Sequence, residues 1–206
     1  MKKYEFTGET KDFCGVELHR IRALKDFGDV AAGDLGGWIE KEENLSHDGG
    51  CWVSGDAWVS GNAHVSGNAH VYGNAQVYDN AWVFGDARVF GDARVAGDAW
   101  VSGNARVSGN AQVSGYARVA GDAWVAGDAE IKAPKDTFWI SAIGSRYGTT
   151  TFFRCADGKV RVTCGCFYGD LDEFLAKVEK THGDNKHGRV YKKAVELAKI
   201  QMEEDV

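Results

Sequence analysis

The sequence predicts a mainly β protein, a solenoid of very short strands followed by a small α+β module. Three observations carry this expectation. From Val53 to Glu130 one six-residue unit recurs thirteen times without an insertion, as VSGDAW, VSGNAH, VYGNAQ, VFGDAR and so on to VAGDAE. In every unit Val is first and Ala fifth, so period-two alternation turns both inwards and the sixth residue outwards. After Pro134, the single proline of the chain, the repeat gives way to strand-like and helix-like patterns.

Residues 1–50 read as a cap on the solenoid. Lys3 to Phe6 and Val16 to Leu24 alternate apolar and polar residues near Gly8 and Gly15, and predict a hairpin. The stretch DFGDVAAGDLGGWIEKEENLSHDGG, rich in Gly and Asp, brings Ile39 and Leu45 into irregular coil positions before the regular repeat begins. A solenoid end exposes unpaired backbone and core, so a cap is expected on stability grounds alone.

In the repeat itself, residues 51–133, each unit buries its apolar face only by stacking on its neighbours. Gly followed by Asn or Asp marks a corner, because these residues tolerate positive φ. Three units close a triangular coil, so the 78 residues from Val53 to Glu130 give a little over four coils. With strands stacked roughly 4.8 Å apart, the prism is about 20 Å long. The pattern resembles the hexapeptide-repeat family, whose fold is a left-handed parallel β-helix. The resemblance supplies the hand, since ordinary crossover geometry favours the other one. The segment from Leu18 into the repeat, with DFGDV, GDLGGWIE and ENLS, is also similar to the N-terminal region of hexapeptide-repeat proteins of bacteriophages and prophages. That resemblance implies a phage-type origin rather than a mechanism.

Residues 134–206 read as a separate α+β module. Phe138 to Ile143 and Thr150 to Cys155 predict strands, and Asp157-Gly158 turns the chain into a third at Val160 to Thr163. Asp170 with Glu173 three residues later starts a helix running to about Lys180, with Leu171, Phe174, Leu175 and Val178 on one face. A second helix is expected from Val190 to Met202, after the loop HGDNKHG. Three strands and two helices, about 70 residues, are enough for a small core of their own. GCFYGDLDEFLAKVEKTHGDN resembles the end that phage proteins with this repeat often carry.

Bulk properties narrow the function. The net charge of −6 is unevenly spread, and residues 131–206 alone are net positive, with 13 basic and 11 acidic side chains. An acidic chain without a basic stripe argues against general nucleic-acid binding but leaves room for an anionic small molecule at the C-terminal module. No apolar run approaches the roughly 20 residues of a membrane span, and MKKYEFTGETKDF has no signal-peptide core. Five dispersed cysteines suit a reducing compartment. A cytoplasmic protein is expected, in the host cell if phage-encoded.

Side chains eighteen apart stack in outward columns, one running His64, Trp82, Trp100, Arg118 and another His70, Arg88, Arg106, Trp124. Tyr72, Phe84 and Phe90 lie beside them. An exposed patch of Tyr72, Trp82, Phe84, Phe90, Trp100 and Trp124 predicts a homo-oligomer interface, a trimer by analogy with enzymes of this coil.

Enzymes that share the repeat are commonly acyltransferases, which use a histidine base beside a loop projecting from the coils. Here the units run without that loop, and His64 and His70 fall on different faces. Cys164 and Cys166 with Cys155 admit a metal site sterically, but zinc spacing is missing and no metal or cofactor is expected. Ser145, Arg146, Thr149, Thr151 and Arg154, with His182, Lys186 and His187, form a polar, cationic set suited to an oxyanion or phosphate. The expected function is therefore a non-catalytic oligomeric binding protein of phage type. Its C-terminal module would take a host protein or a small anionic, nucleotide-like ligand, to counter host defence by inhibiting a defence protein or sequestering a signalling nucleotide. A structural, polymer-forming protein and a hexapeptide acyltransferase are the alternatives.

Overall fold

A computed structural model describes residues 2–203. The chain opens with a hairpin, β1 (Tyr4–Phe13) and β2 (Val16–Ala23), followed by β3 (Leu35–Ile39). Fourteen two-residue strands, β4 to β17, then recur every six residues from Trp52–Val53 to Glu130–Ile131. The C-terminal module comprises β18 (Thr137–Ile143), β19 (Gly148–Arg154), β20 (Val160–Cys164), β21 (Phe167–Asp170), α1 (Leu171–His182) and α2 (Lys186–Gln201). No described helix is long and apolar enough to cross a membrane.

The short strands pair in parallel, every third one adjacent, so they form the three walls of a prism. The walls run β3-β5-β8-β11-β14-β17, β4-β7-β10-β13-β16 and β6-β9-β12-β15. Five or so turns result. The first is the irregular coil expected around Ile39 and Leu45, which pair with Val59 and Val65. Every repeat Val and every repeat Ala from Ala57 to Val125 is buried, and together they form one continuous core.

The corners turn on glycines at positive φ, with Asp79 (φ 61°) in the one unit that lacks the glycine. Beside them the fourth residues stack in ladders of side-chain amides and carboxylates. Asn68 donates to Asp86 Oδ1 at 3.0 Å, Asn74 to Asp92 at 2.9 Å, Asn104 to Asp122 at 2.9 Å and Asn110 to Asp128 at 3.0 Å. Asn and Asp alternate along these two corners, so no two carboxylates stack in successive coils. Asn supplies the donor that a carboxylate lacks, and like charges stay two coils apart.

Both solenoid ends are closed. At the N-terminus Tyr4 is fully buried and its hydroxyl donates to Leu45 O at 2.8 Å. Lys3, also fully buried, sends Nζ to Cys51 O at 2.8 Å and lies over the Phe27 ring. At the C-terminus β19 serves two cores because its side chains alternate. Phe153 joins the solenoid core and Phe152 the core beneath the helices. Thr151 Oγ1 accepts from the Trp124 N–H at 3.0 Å, and Thr163 Oγ1 donates to Trp124 O at 2.6 Å. The module's sheet thus lies on the last coil and covers backbone that would otherwise be an open edge.

The module has four strands, order β18-β19-β20-β21, where three were expected. Phe167–Asp170 carries little strand signal because Gly169 and the capping Asp170 occupy half of it, yet it pairs with β20 through Val162↔Gly169 and Thr163↔Tyr168. The capping box at Asp170 and Glu173 forms as expected, with Glu173 N–H donating to Asp170 Oδ1 at 2.8 Å. Helix α2 starts four residues earlier than expected, at Lys186. Asn185 caps it by accepting from the His187 and Gly188 N–H groups. Gly188 sits inside this helix because a Cβ there would lie 2.0 Å from Gly183 O.

Candidate functional site

One cavity of about 280 Å³ opens where the free end of the module's sheet meets α1 and α2. Three segments build it: Ser145–Thr149 between β18 and β19, Cys164–Phe167 between β20 and β21, and one face of α1 from Phe174 to His182. Tyr191 of α2 closes its inner side. Helical spacing puts Phe174, Lys177, Val178, Thr181 and His182 on that face, so the apolar stripe that fills the module's core continues into a cationic, hydroxylated rim.

Chemically the cavity is one-sided. Its floor is Phe167, Phe174, Val178 and the Tyr191 ring, and its rim carries Arg146, Lys177, His182, Ser145, Thr149 and Thr181. Among the described residues no carboxylate lines it. Neither Arg146 nor Lys177 has an acidic partner among the described residues, so both guanidinium and ammonium are available to an anion. The His182 ring lies 5.7 Å from Tyr191 and 5.8 Å from His187, a line of rings along the rim.

Tyr191 is held by a short relay. Thr150 Oγ1 donates to Cys164 Sγ at 3.2 Å, and Cys164 donates to the Tyr191 hydroxyl at 3.8 Å. Burial, reinforced by Cys164, pushes the phenol up to about 12, so it remains protonated at neutral pH. Gly144 makes room for it, since a Cβ there would fall 1.8 Å from the phenol oxygen.

The cavity gathers Ser145, Arg146, Thr149 and His182 from the residues proposed on sequence grounds. The other four lie elsewhere. Thr151 is buried on the opposite face of the sheet against Trp124. Arg154 is structural, paired with Asp136 at 3.5 Å and donating to Met202 O at 2.6 Å. Lys186 and His187 sit on the first turn of α2 outside the cavity, His187 reaching it only through the His182 ring. Lys177, Tyr191, Cys164 and the two Phe side chains were missed, because they come from helix faces and a strand end that a linear reading assigns to core.

The cysteines do not gather. Cys155 belongs to the solenoid-end core, where burial pushes its thiol up to about 11, whereas Cys164 packs against the helix-side core. Among the described residues no group of three metal-ligating side chains occurs.

The aromatic columns separate into covered and uncovered sets. Trp58 packs on Phe13 and Tyr78, Trp52 on Phe27, and Trp38 lies under Lys11. Trp124 is half-buried beside the module and lines the groove between the module and the last coils. Tyr72 and Phe90 stack on each other at 5.0 Å on the same wall as Trp124. Trp82 and Trp100 are 46% and 43% exposed on another wall, with Phe84 edge-on to Trp100. His64 stands at the head of their column, its Nδ1 2.7 Å from Glu43 O, in a shallow depression with Lys41, Glu43 and Asn62. His70, on a different wall, is half-buried, and desolvation and then Arg88 lower its pKa.

The solenoid has counterparts among known proteins. Three segments match the YdcK Beta solenoid repeat: residues 75–89, 87–103 and 99–115. One curated relative, "Uncharacterized acetyltransferase YdcK" of Escherichia coli (strain K12), is 39% identical over 61 residues. That alignment covers 26% of this chain and 19% of the relative, so the chain spans about a fifth of the relative's length. The likeness extends to the repeat scaffold.

Proposed function

We propose that this protein is a non-catalytic binding scaffold whose C-terminal cavity takes a small anionic ligand bearing an aromatic ring, of the nucleotide class. The observation that carries the reading is the cavity's composition: an aromatic floor, a rim of Arg146, Lys177, His182 and hydroxyls, and no carboxylate among the described residues. Aromatic floors suit planar rings, and unpaired guanidinium and ammonium groups suit phosphate oxygens. A calorimetric titration with a panel of nucleoside phosphates tests it. Binding should weaken at least roughly tenfold in Arg146→Ala with Lys177→Ala, which removes two charge-assisted contacts. Unaltered binding, or none with the whole panel, would overturn the reading.

In this proposal the solenoid is a rigid support that self-associates through the wall bearing Trp82 and Trp100. These two rings are exposed, while Trp38, Trp52 and Trp58 are buried against the chain's own cap and Trp124 is half-buried beside the module. Desolvating such rings favours association. Trp82→Ser with Trp100→Ser should lower the mass measured in solution by light scattering to that of one chain. An unchanged mass would remove this wall from consideration.

Acyl transfer is the second reading. It is supported by the similarity to a relative named as an acetyltransferase and by His64, whose Nδ1 is fixed on Glu43 O so that Nε2 faces the depression beside Trp82. A fixed tautomer with an outward nitrogen suits a general base. Its repeat lacks a projecting loop to wall an acceptor pocket, which favours the first reading.

A further inference from the structure

The helix-side cavity has a neighbour. On the solenoid side of the same sheet a groove of about 350 Å³ lies between the module and the last coils. Arg106, Trp124, Asn104 and Asp122 line it from the solenoid, and Tyr147 from the module. The two depressions share Gly148, Thr149 and Gly165, the residues at the free end of β19 and in the turn after β20.

The shared wall is low for a physical reason. Side chains built on Gly148 or Gly165 would meet nothing within 4 Å, so both glycines face open space at the sheet's end. A linear ligand can pass over this saddle from one face of the sheet to the other.

The groove's chemistry complements that of the cavity. The Arg106 guanidinium lies 5.9 Å from the Trp124 ring and has no ion pair among the described residues. Tyr147 is 76% exposed although its backbone is held at φ 50°, a conformation a tyrosine adopts at a cost. Asn104 and Asp122, bonded to each other at 2.9 Å, offer oxygen acceptors that suit the amino edge of a base rather than a phosphate. One aromatic cation site on each face, joined over two glycines with Arg146 on the loop beside them, describes a receptor with two ring sites and an anion between.

We infer that the ligand is a dinucleotide, one base in the helix-side cavity, the second in the solenoid-side groove and the phosphodiester over Gly148 and Gly165. This rests on the proposed binding of a nucleotide in the cavity and specifies its length.

Titrations of the full chain with adenosine 5′-monophosphate and linear pApA, and with the guanosine pair in parallel, test the inference. In at least one pair the dinucleotide should bind roughly tenfold or more tighter than the mononucleotide, the gain from stacking one further base. Gly148→Val adds a side chain on the saddle where the backbone is not left-handed and nothing is struck, so the variant should fold normally. It should abolish the dinucleotide's advantage, and Arg106→Gln, which lies outside the helix-side cavity, should do so while leaving mononucleotide affinity unchanged. Equal affinity for the two lengths, or an advantage that survives both substitutions, would overturn the dinucleotide while leaving the nucleotide reading intact. Failure of every nucleotide to bind would overturn both.

Discussion

Replacing Phe153 by Ala should cost about 3–5 kcal/mol and loosen the C-terminal module from the solenoid. The side chain is fully buried at the junction of the two units, on the solenoid face of β19, whereas Phe152 next to it faces the helices. Its removal leaves a cavity where the last coil has no further coil to close over it. Other links include the Ala129↔Cys155 bridge, Ala156 N–H to Asp128 O at 3.0 Å, the two threonine contacts to Trp124, and Trp139 packed against the solenoid core. In a quasi-one-dimensional fold a weakened terminal interface lets the end unit open separately. Urea denaturation followed by hydrogen exchange should show the module's strands losing protection before the middle coils. A loss below about 1 kcal/mol, with one concerted transition, would mean that Phe153 does not join the units.

Gly103→Val should be comparably damaging, at about 3 kcal/mol, for a different reason. Gly103 turns a corner at φ 67°, and a Cβ there would lie 2.9 Å from Gly121 N and 3.0 Å from Gly121 O. Backbone of the next coil cannot move aside without breaking the parallel ladder. A β-branched residue combines the conformational penalty with that overlap. Asp79 shows what the corner tolerates. It adopts φ 61° and its carboxylate accepts from the Gly97 N–H at 3.1 Å, a compensation that valine cannot make. Thermal and urea unfolding of the variant measure the effect. A stability equal to the parent's would mean that the corners are looser than these distances imply.

The solenoid was legible because its signal is purely local: an inward Val and Ala, an outward residue and a glycine corner every six residues. The irregular coil at Ile39 and Leu45 could also be read, since the apolar positions keep their phase through the Gly- and Asp-rich cap. The Asn–Asp alternation was present in the sequence but becomes visible only when units eighteen apart are set side by side. The fourth module strand was not legible, because four residues containing Gly169 carry almost no strand propensity and are ordered by their partner Val160–Cys164.

For the cavity, four of the eight polar residues proposed from the sequence line it and four do not. Ser145, Arg146, Thr149 and His182 were picked as polar loop residues, and chain folding brings them together. Thr151 and Arg154 looked equivalent in the sequence, but position on β19 and an ion pair to Asp136 commit them to structure. Lys177 and Tyr191 look like ordinary helix positions until α1 and α2 are placed against the sheet's open end. Which tryptophans are covered likewise depends on where the cap and the module land, not on the repeat.

We propose that ligand recognition resides in the C-terminal cavity and not on the solenoid walls. Histidine ring spectra during a nucleotide titration test it most directly, because the imidazoles mark both places: His182 at the cavity rim with His187 beyond it, His64 and His70 on the walls. The His182 signals, followed by those of His187, should shift with saturating behaviour while His64 and His70 stay fixed. Shifts confined to His64, with His182 unmoved, would place recognition beside Trp82 and contradict the account.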